Sequence, residues 1–96
     1  MTGNNTFTTK TGERVRISGR TAEIGLSDEA QRSLGDALHV NVLPKGSRLE
    51  AGDAFGVVEG VRTAGEFYTP VAGVIRRVAG PDAMISDWLV TIEIDA

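Results

Sequence analysis

Apolar residues in this chain recur at every second position in short runs, and each run is closed within a few residues by glycine, proline or a small polar turn. That pattern admits little besides antiparallel β-structure. Val15 and Ile17 alternate with Arg14, Arg16 and Ser18, and Ala22, Ile24 and Leu26 resume the apolar side after the turn Ser18-Gly19-Arg20. Leu38, Val40 and Val42 alternate with His39 and Asn41 and lead into the turn Pro44-Lys45-Gly46. Leu49 to Asp53 reads as a connection ending in a second turn. The most extended pair follows: Phe55 to Val61 rises, Arg62 to Gly65 forms the tip, and Phe67 to Val71 returns, a hairpin. Pro70 cannot donate to a ladder, which confines the returning arm to an edge or bulge. Val74, Ile75 and Val78 make the next strand, Gly80-Pro81-Asp82 a turn, and Trp88 to Ile94 the last strand. The adjacent Arg76 and Arg77 are expected on opposite faces, one of them over the edge of the core.

One segment breaks the alternation. Ser27 has the hydroxyl of an N-cap, Asp28 and Glu29 put negative charge in a first helical turn, and Gly35 stands just past the end. Ala30 and Leu34 share one face of this short helix. The expected class is all-β, with seven or eight short strands and one helix.

With 96 residues the chain suffices for one domain, drawn here over residues 12–96 behind a loosely held terminus, 1–11, that lends its end to a sheet edge. A formal net charge of −3 supplies no basic field for nucleic acid or an anionic membrane, so neither is an expected partner. The absence of cysteine excludes disulfides, thiol nucleophiles and thiolate metal sites. His39 is the sole histidine and has no second ligand for a metal, and Glu50, Asp53, Asp82 and Asp87 lack calcium-loop spacing. The first residues show no basic-then-apolar leader, which makes a cytoplasmic location the expectation.

From Glu13 onward the motifs fall in a familiar order. Ile24-Gly25-Leu26-Ser27-Asp28-Glu29-Ala30-Gln31 with Leu34-Gly35-Asp36, then Leu49-Glu50-Ala51-Gly52, Gly56-Val57-Val58-Glu59, Tyr68-Thr69-Pro70-Val71-Ala72-Gly73 and Trp88-Leu89-Val90 with Ile92 together resemble the H protein of the glycine cleavage system. Two spacings carry the likeness: Gly56 stands six residues before position 62 (62 − 56 = 6) and Gly73 eleven after it (73 − 62 = 11). The resemblance implies a lipoyl-domain-like flattened barrel, a barrel-sandwich hybrid of two small antiparallel sheets with the hairpin exposed at one end. It also implies a carrier that is not itself an enzyme. In the family, a lipoyl group on the hairpin lysine passes an aminomethyl group from a pyridoxal-phosphate decarboxylase to a folate-dependent transferase, and a dihydrolipoamide dehydrogenase reoxidises the arm.

Arg62 stands where that lysine is expected, and Arg14 where the family commonly has tryptophan. Acylation needs a neutral amine, and a guanidinium with a pKa of about 12.5 to 13.8 does not supply one. The expectation is therefore that Arg62 is not modified and that the chain takes no cofactor, lipoate included. The leading reading is a non-lipoylated binding or adaptor module that meets a partner enzyme through the 55–73 hairpin, with Glu59, Arg62 and Glu66 as contact residues. Two others stay open. One is a carrier of a one-carbon, amino or acyl group held noncovalently or through another residue, Lys10 and Lys45 being the two lysines. The other is a small-anion-binding protein or enzyme that uses Arg62. The oligomeric state is expected to be a monomer or a weak edge-strand dimer.

Overall fold

The computed structural model describes residues 5–95. Among these residues nine strands and one helix follow one another: β1 (Asn5–Thr8), β2 (Glu13–Ser18), β3 (Thr21–Leu26), α1 (Asp28–Leu34), β4 (Ala37–Val42), β5 (Arg48–Leu49), β6 (Ala54–Gly60), β7 (Ala64–Tyr68), β8 (Gly73–Val78) and β9 (Val90–Ile94). They form two antiparallel sheets, a six-stranded one in the order β1-β2-β3-β9-β8-β5 and a three-stranded one in the order β4-β6-β7. Within the stretch read as a loose terminus, Asn5–Thr8 pairs with β2 from Asn5↔Ile17 to Thr8↔Arg14. Residues 1–4 lie outside the described residues.

The alternation seen in the sequence is what closes the core. Ala22, Ile24 and Leu26 of β3, Ile75 of β8 and Ile92 of β9 face inward from the larger sheet and are fully buried. Phe55, Val58 and Phe67 answer them from the smaller one. Helix α1 covers one end of this sandwich and buries Leu34. Its N-cap is Ser27, whose side chain accepts from the Ala30 N–H at 3.1 Å, and its C-cap is Gly35 at φ 75°. Both caps follow the residue types that mark them.

Three details depart from simple alternation, two of them at bulges. Leu38, expected on the inner side of β4, is 69% exposed, because the β4–β6 register shifts between Ala37 and His39. Arg76 and Arg77 are both exposed, because the β8–β9 register shifts between Ile75 and Arg77, which brings neither over the core. An extra residue in one strand re-aims its neighbours in this way. Arg48–Leu49, read as part of a connection, pairs with β8 as the short edge strand β5.

Candidate functional site

The hairpin formed by β6 and β7 projects at the end of the sandwich covered by α1, and its register is Val57↔Glu66, Val58↔Gly65 and Glu59↔Ala64. Its tip is a tight turn in which the Gly60 N–H donates to the Thr63 carbonyl at 2.8 Å. Two further backbone bonds tie this tip to the end of α1 and to the residues after it: Val61 N–H to the Asp36 carbonyl and Arg62 N–H to the Leu34 carbonyl, both 3.0 Å. The last carbonyls of a helix lack partners within the helix itself. Here the hairpin supplies one of them.

Such close approach requires glycine on both sides. A Cβ on Gly60 would overlap the Leu34 carbonyl, and one on Gly35 would stand 2.7 Å from Val61 Cγ2 and 3.3 Å from Arg62 Cγ. The two glycines at diagnostic spacing are explained in the same terms. A Cβ on Gly56 would lie 2.7 Å from Val42 Cγ1 and 2.8 Å from the Asn41 oxygen, and one on Gly73 would overlap the Glu93 carbonyl of the neighbouring strand.

Arg62 does not reach freely into solvent. Its Nη1 donates to the Arg32 carbonyl at 2.7 Å, so the side chain lies back over Gly35 and satisfies a second carbonyl near the α1 C-terminus. The negative end of the helix dipole favours a cation there. Beside it is a recess of about 380 Å³ lined by Asp28, Gln31, Arg32, Gly35, Asp36, Arg62 and Ile85. Its two arginines are matched by two aspartates, a balance that does not single out an anion.

Glu59 and Glu66, named with Arg62 as contact residues, flank it in the chain but lie on a different surface from its side chain. They lie on the outer face of the three-stranded sheet, Glu59 between His39 and Ala64 and Glu66 beside Val57. Tyr68 Oη donates to Glu66 Oε1 at 2.9 Å. The hydrogen bond to Glu66, then its charge, with smaller contributions from burial and from Glu13, raise the Tyr68 phenol above its ordinary value of 10.0. Lys45 is exposed in the turn after β4, and Lys10 is exposed in the turn between β1 and β2.

Glu13 is a residue of consequence that alternation alone does not mark. Glu13 is fully buried, and its carboxylate accepts from the hydroxyls of Thr9 and Thr11 and, at 2.8 Å, from the Tyr68 N–H. It thus joins the start of β2 to the end of β7, an edge strand of the smaller sheet. A carboxylate ringed by donors is stable without a cation. The available signal was Thr9 and Thr11 closely preceding Glu13 at a strand start. Arg14 also has a place: its guanidinium stacks 4.3 Å from the Trp88 ring, that of Arg16 lies 4.8 Å from it, and Arg14 Nη2 donates to the Ser86 carbonyl at 3.1 Å.

Known proteins share both this frame and its motifs. The family model for the glycine cleavage H-protein matches residues 6–94. The chain belongs to the glycine cleavage H-protein family. It is 37% identical over 93 residues to a probable glycine cleavage system H protein of Haloarcula marismortui, covering 86% of this chain and 73% of that one. To the H protein of Salinibacter ruber it is 36% identical over 94 residues, 88% of this chain and 76% of that one. To that of Chlorobium limicola it is 38% identical over 98 residues, 91% and 77% respectively. The crystal structure of a glycine cleavage system H protein from Mycobacterium marinum superposes with a TM-score of 0.76 at 22% identity, over 93% of this chain and 83% of that one. That likeness establishes the fold, the lipoyl-domain-like barrel-sandwich.

H-protein family members are lipoyl carriers, not enzymes, and this chain, as a member of that family, is likewise not an enzyme. Membership also corrects one expectation. Lipoate is the cofactor of the family, so the absence of any cofactor does not follow from a single residue at position 62. The hairpin frame fits the group; the tip side chain does not, since Arg62 offers a guanidinium bonded to α1 where an amine is needed. Among the described residues no helix is long and apolar enough to cross a membrane.

Proposed function

We propose that this H-protein-family chain is a docking module of the glycine cleavage type, which meets a partner enzyme through the end formed by the β6–β7 hairpin, and that Arg62 is a structural and contact residue there and not an attachment point. Of the residues assigned to this docking role, Arg62 lies at the tip, and Glu59 and Glu66 lie on the outer face of the same hairpin. The observation that carries the reading is the second role Arg62 has taken. Its backbone and side chain together close two carbonyls of α1, which holds the tip in place. The partner class is the set of glycine cleavage enzymes, by family membership.

The test is co-expression of the full chain with a lipoate ligase, followed by intact-mass measurement and peptide mapping of the wild type and of Arg62→Lys. The expected result is no lipoyl increment on the peptide containing Arg62, and an increment at that position in Arg62→Lys. A lipoyl group on Arg62 in the wild type overturns the assignment. An increment on Lys10 or Lys45 instead leaves Arg62 as assigned and turns the reading toward a carrier with a displaced arm.

A further inference from the structure

Charge is divided between the two sheets. The strands of the six-stranded sheet contain Arg14, Arg16, Arg48, Arg76 and Arg77, and three of these are met by carboxylates, in the pairs Arg16–Glu23, Arg48–Asp95 and Arg76–Glu93. The strands of the three-stranded sheet, Ala37–Val42, Ala54–Gly60 and Ala64–Tyr68, contain no arginine or lysine. Two neighbouring rows of its outer face read His39–Glu59–Ala64 and Asn41–Val57–Glu66 across the strands.

We propose that this outer face is the surface a partner enzyme covers, and that the partner meets it with arginine or lysine side chains set around an apolar contact. The proposal rests on the docking reading above and gives the partner's chemistry.

Three observations support it. Glu59 and Glu66 are diagonal neighbours on adjacent strands, an arrangement of like charges that works against sheet pairing, and among the described residues neither forms an ion pair. Arg62, the cation nearest to them in sequence, is turned onto α1 and bonded to the Arg32 carbonyl, which leaves the face anionic. Val57, 39% exposed, lies directly opposite Glu66, and Val61 at the tip and Leu38 at the bulge are 57% and 69% exposed. An exposed apolar centre rimmed by charge is how many protein surfaces receive a partner. The same features argue against a second copy of this chain as the occupant, because it would bring a like charge to a like charge. Tyr68 holds one oxygen of Glu66 at 2.9 Å and leaves the other for an incoming cation.

The experiment titrates the full chain against the purified decarboxylase, aminomethyltransferase and dihydrolipoamide dehydrogenase of a glycine cleavage system, each in turn and at several salt concentrations. Binding to at least one of them is expected to weaken as salt rises. Glu59→Gln/Glu66→Gln should weaken it by about tenfold at low salt and flatten its salt dependence. Val57→Ser should weaken it several-fold with the salt dependence intact. The control Glu29→Gln/Asp82→Asn removes the same charge elsewhere and should stay within about twofold. All four carboxylates are exposed, and circular dichroism of each variant verifies the fold. Wild-type binding that the face variants change no more than the control overturns this inference and leaves the docking reading standing. No binding to any of the three enzymes overturns the docking reading, and this inference with it.

Discussion

Glu13 and Glu66 are two carboxylates that donors hold in opposite settings, and each leads to a measurement. Replacing buried Glu13 by alanine strips the Tyr68 N–H and two hydroxyls of their acceptor. An unmet buried donor costs about 1 to 3 kcal/mol, and since Thr11 is exposed and Thr9 and Tyr68 are half-buried, Glu13→Ala should lose about 3 kcal/mol in total in urea unfolding, and Glu13→Gln, which keeps an acceptor, about 1 kcal/mol. Tyr68 is the single tyrosine, so its ultraviolet titration can be read without overlap. Its phenol is raised above 10.0, first by the hydrogen bond to Glu66 and then by that residue's charge, and Glu66→Gln should lower it. Because the folded value exceeds the unfolded one, the contribution to stability is present below about pH 10 and is lost as pH rises through the folded value.

At the scale of elements, the contact that matters is between the hairpin tip and the end of α1. Gly60 and Gly35 permit it, and the backbones come so close that no side chain fits at position 60. Gly60→Ala should therefore push the tip off the helix at a cost of about 3 kcal/mol, and exchange of the Val61 and Arg62 amides should quicken with it. Unchanged exchange at those two amides would show that the tip is held by something other than this contact. Helix α1 itself was legible in the sequence, since Ser27 and Gly35 are capping residues by local chemistry. The bulges beside Leu38 and Arg77 were not. Alternation predicts a face only while the register is regular, and one extra residue reverses it.

The whole molecule has one core, to which both sheets contribute, and a radius of gyration of 12.5 Å, about what a single domain of this length should have. It should unfold as one unit, with Trp88 fluorescence and far-ultraviolet circular dichroism giving coincident transitions; separate midpoints would mean that the sheets unfold independently. The sequence alone determined the all-β class, the helix and its caps, the hairpin and the family likeness, because alternation, capping and turn chemistry act between residues a few positions apart. It also placed Arg62 at the tip. Only the tertiary structure decided what Arg62 touches, that Glu59 and Glu66 share the outer face of a sheet without Arg62, and that Glu13 is ringed by donors. The deciding contacts are the distant ones, Arg62 to Arg32 and Tyr68 to Glu13, 30 and 55 positions apart in the chain, while the Thr9 and Thr11 hydroxyls reach Glu13 from nearby. No local pattern records such a pairing; it exists only once two sheets and a helix have packed on the same core.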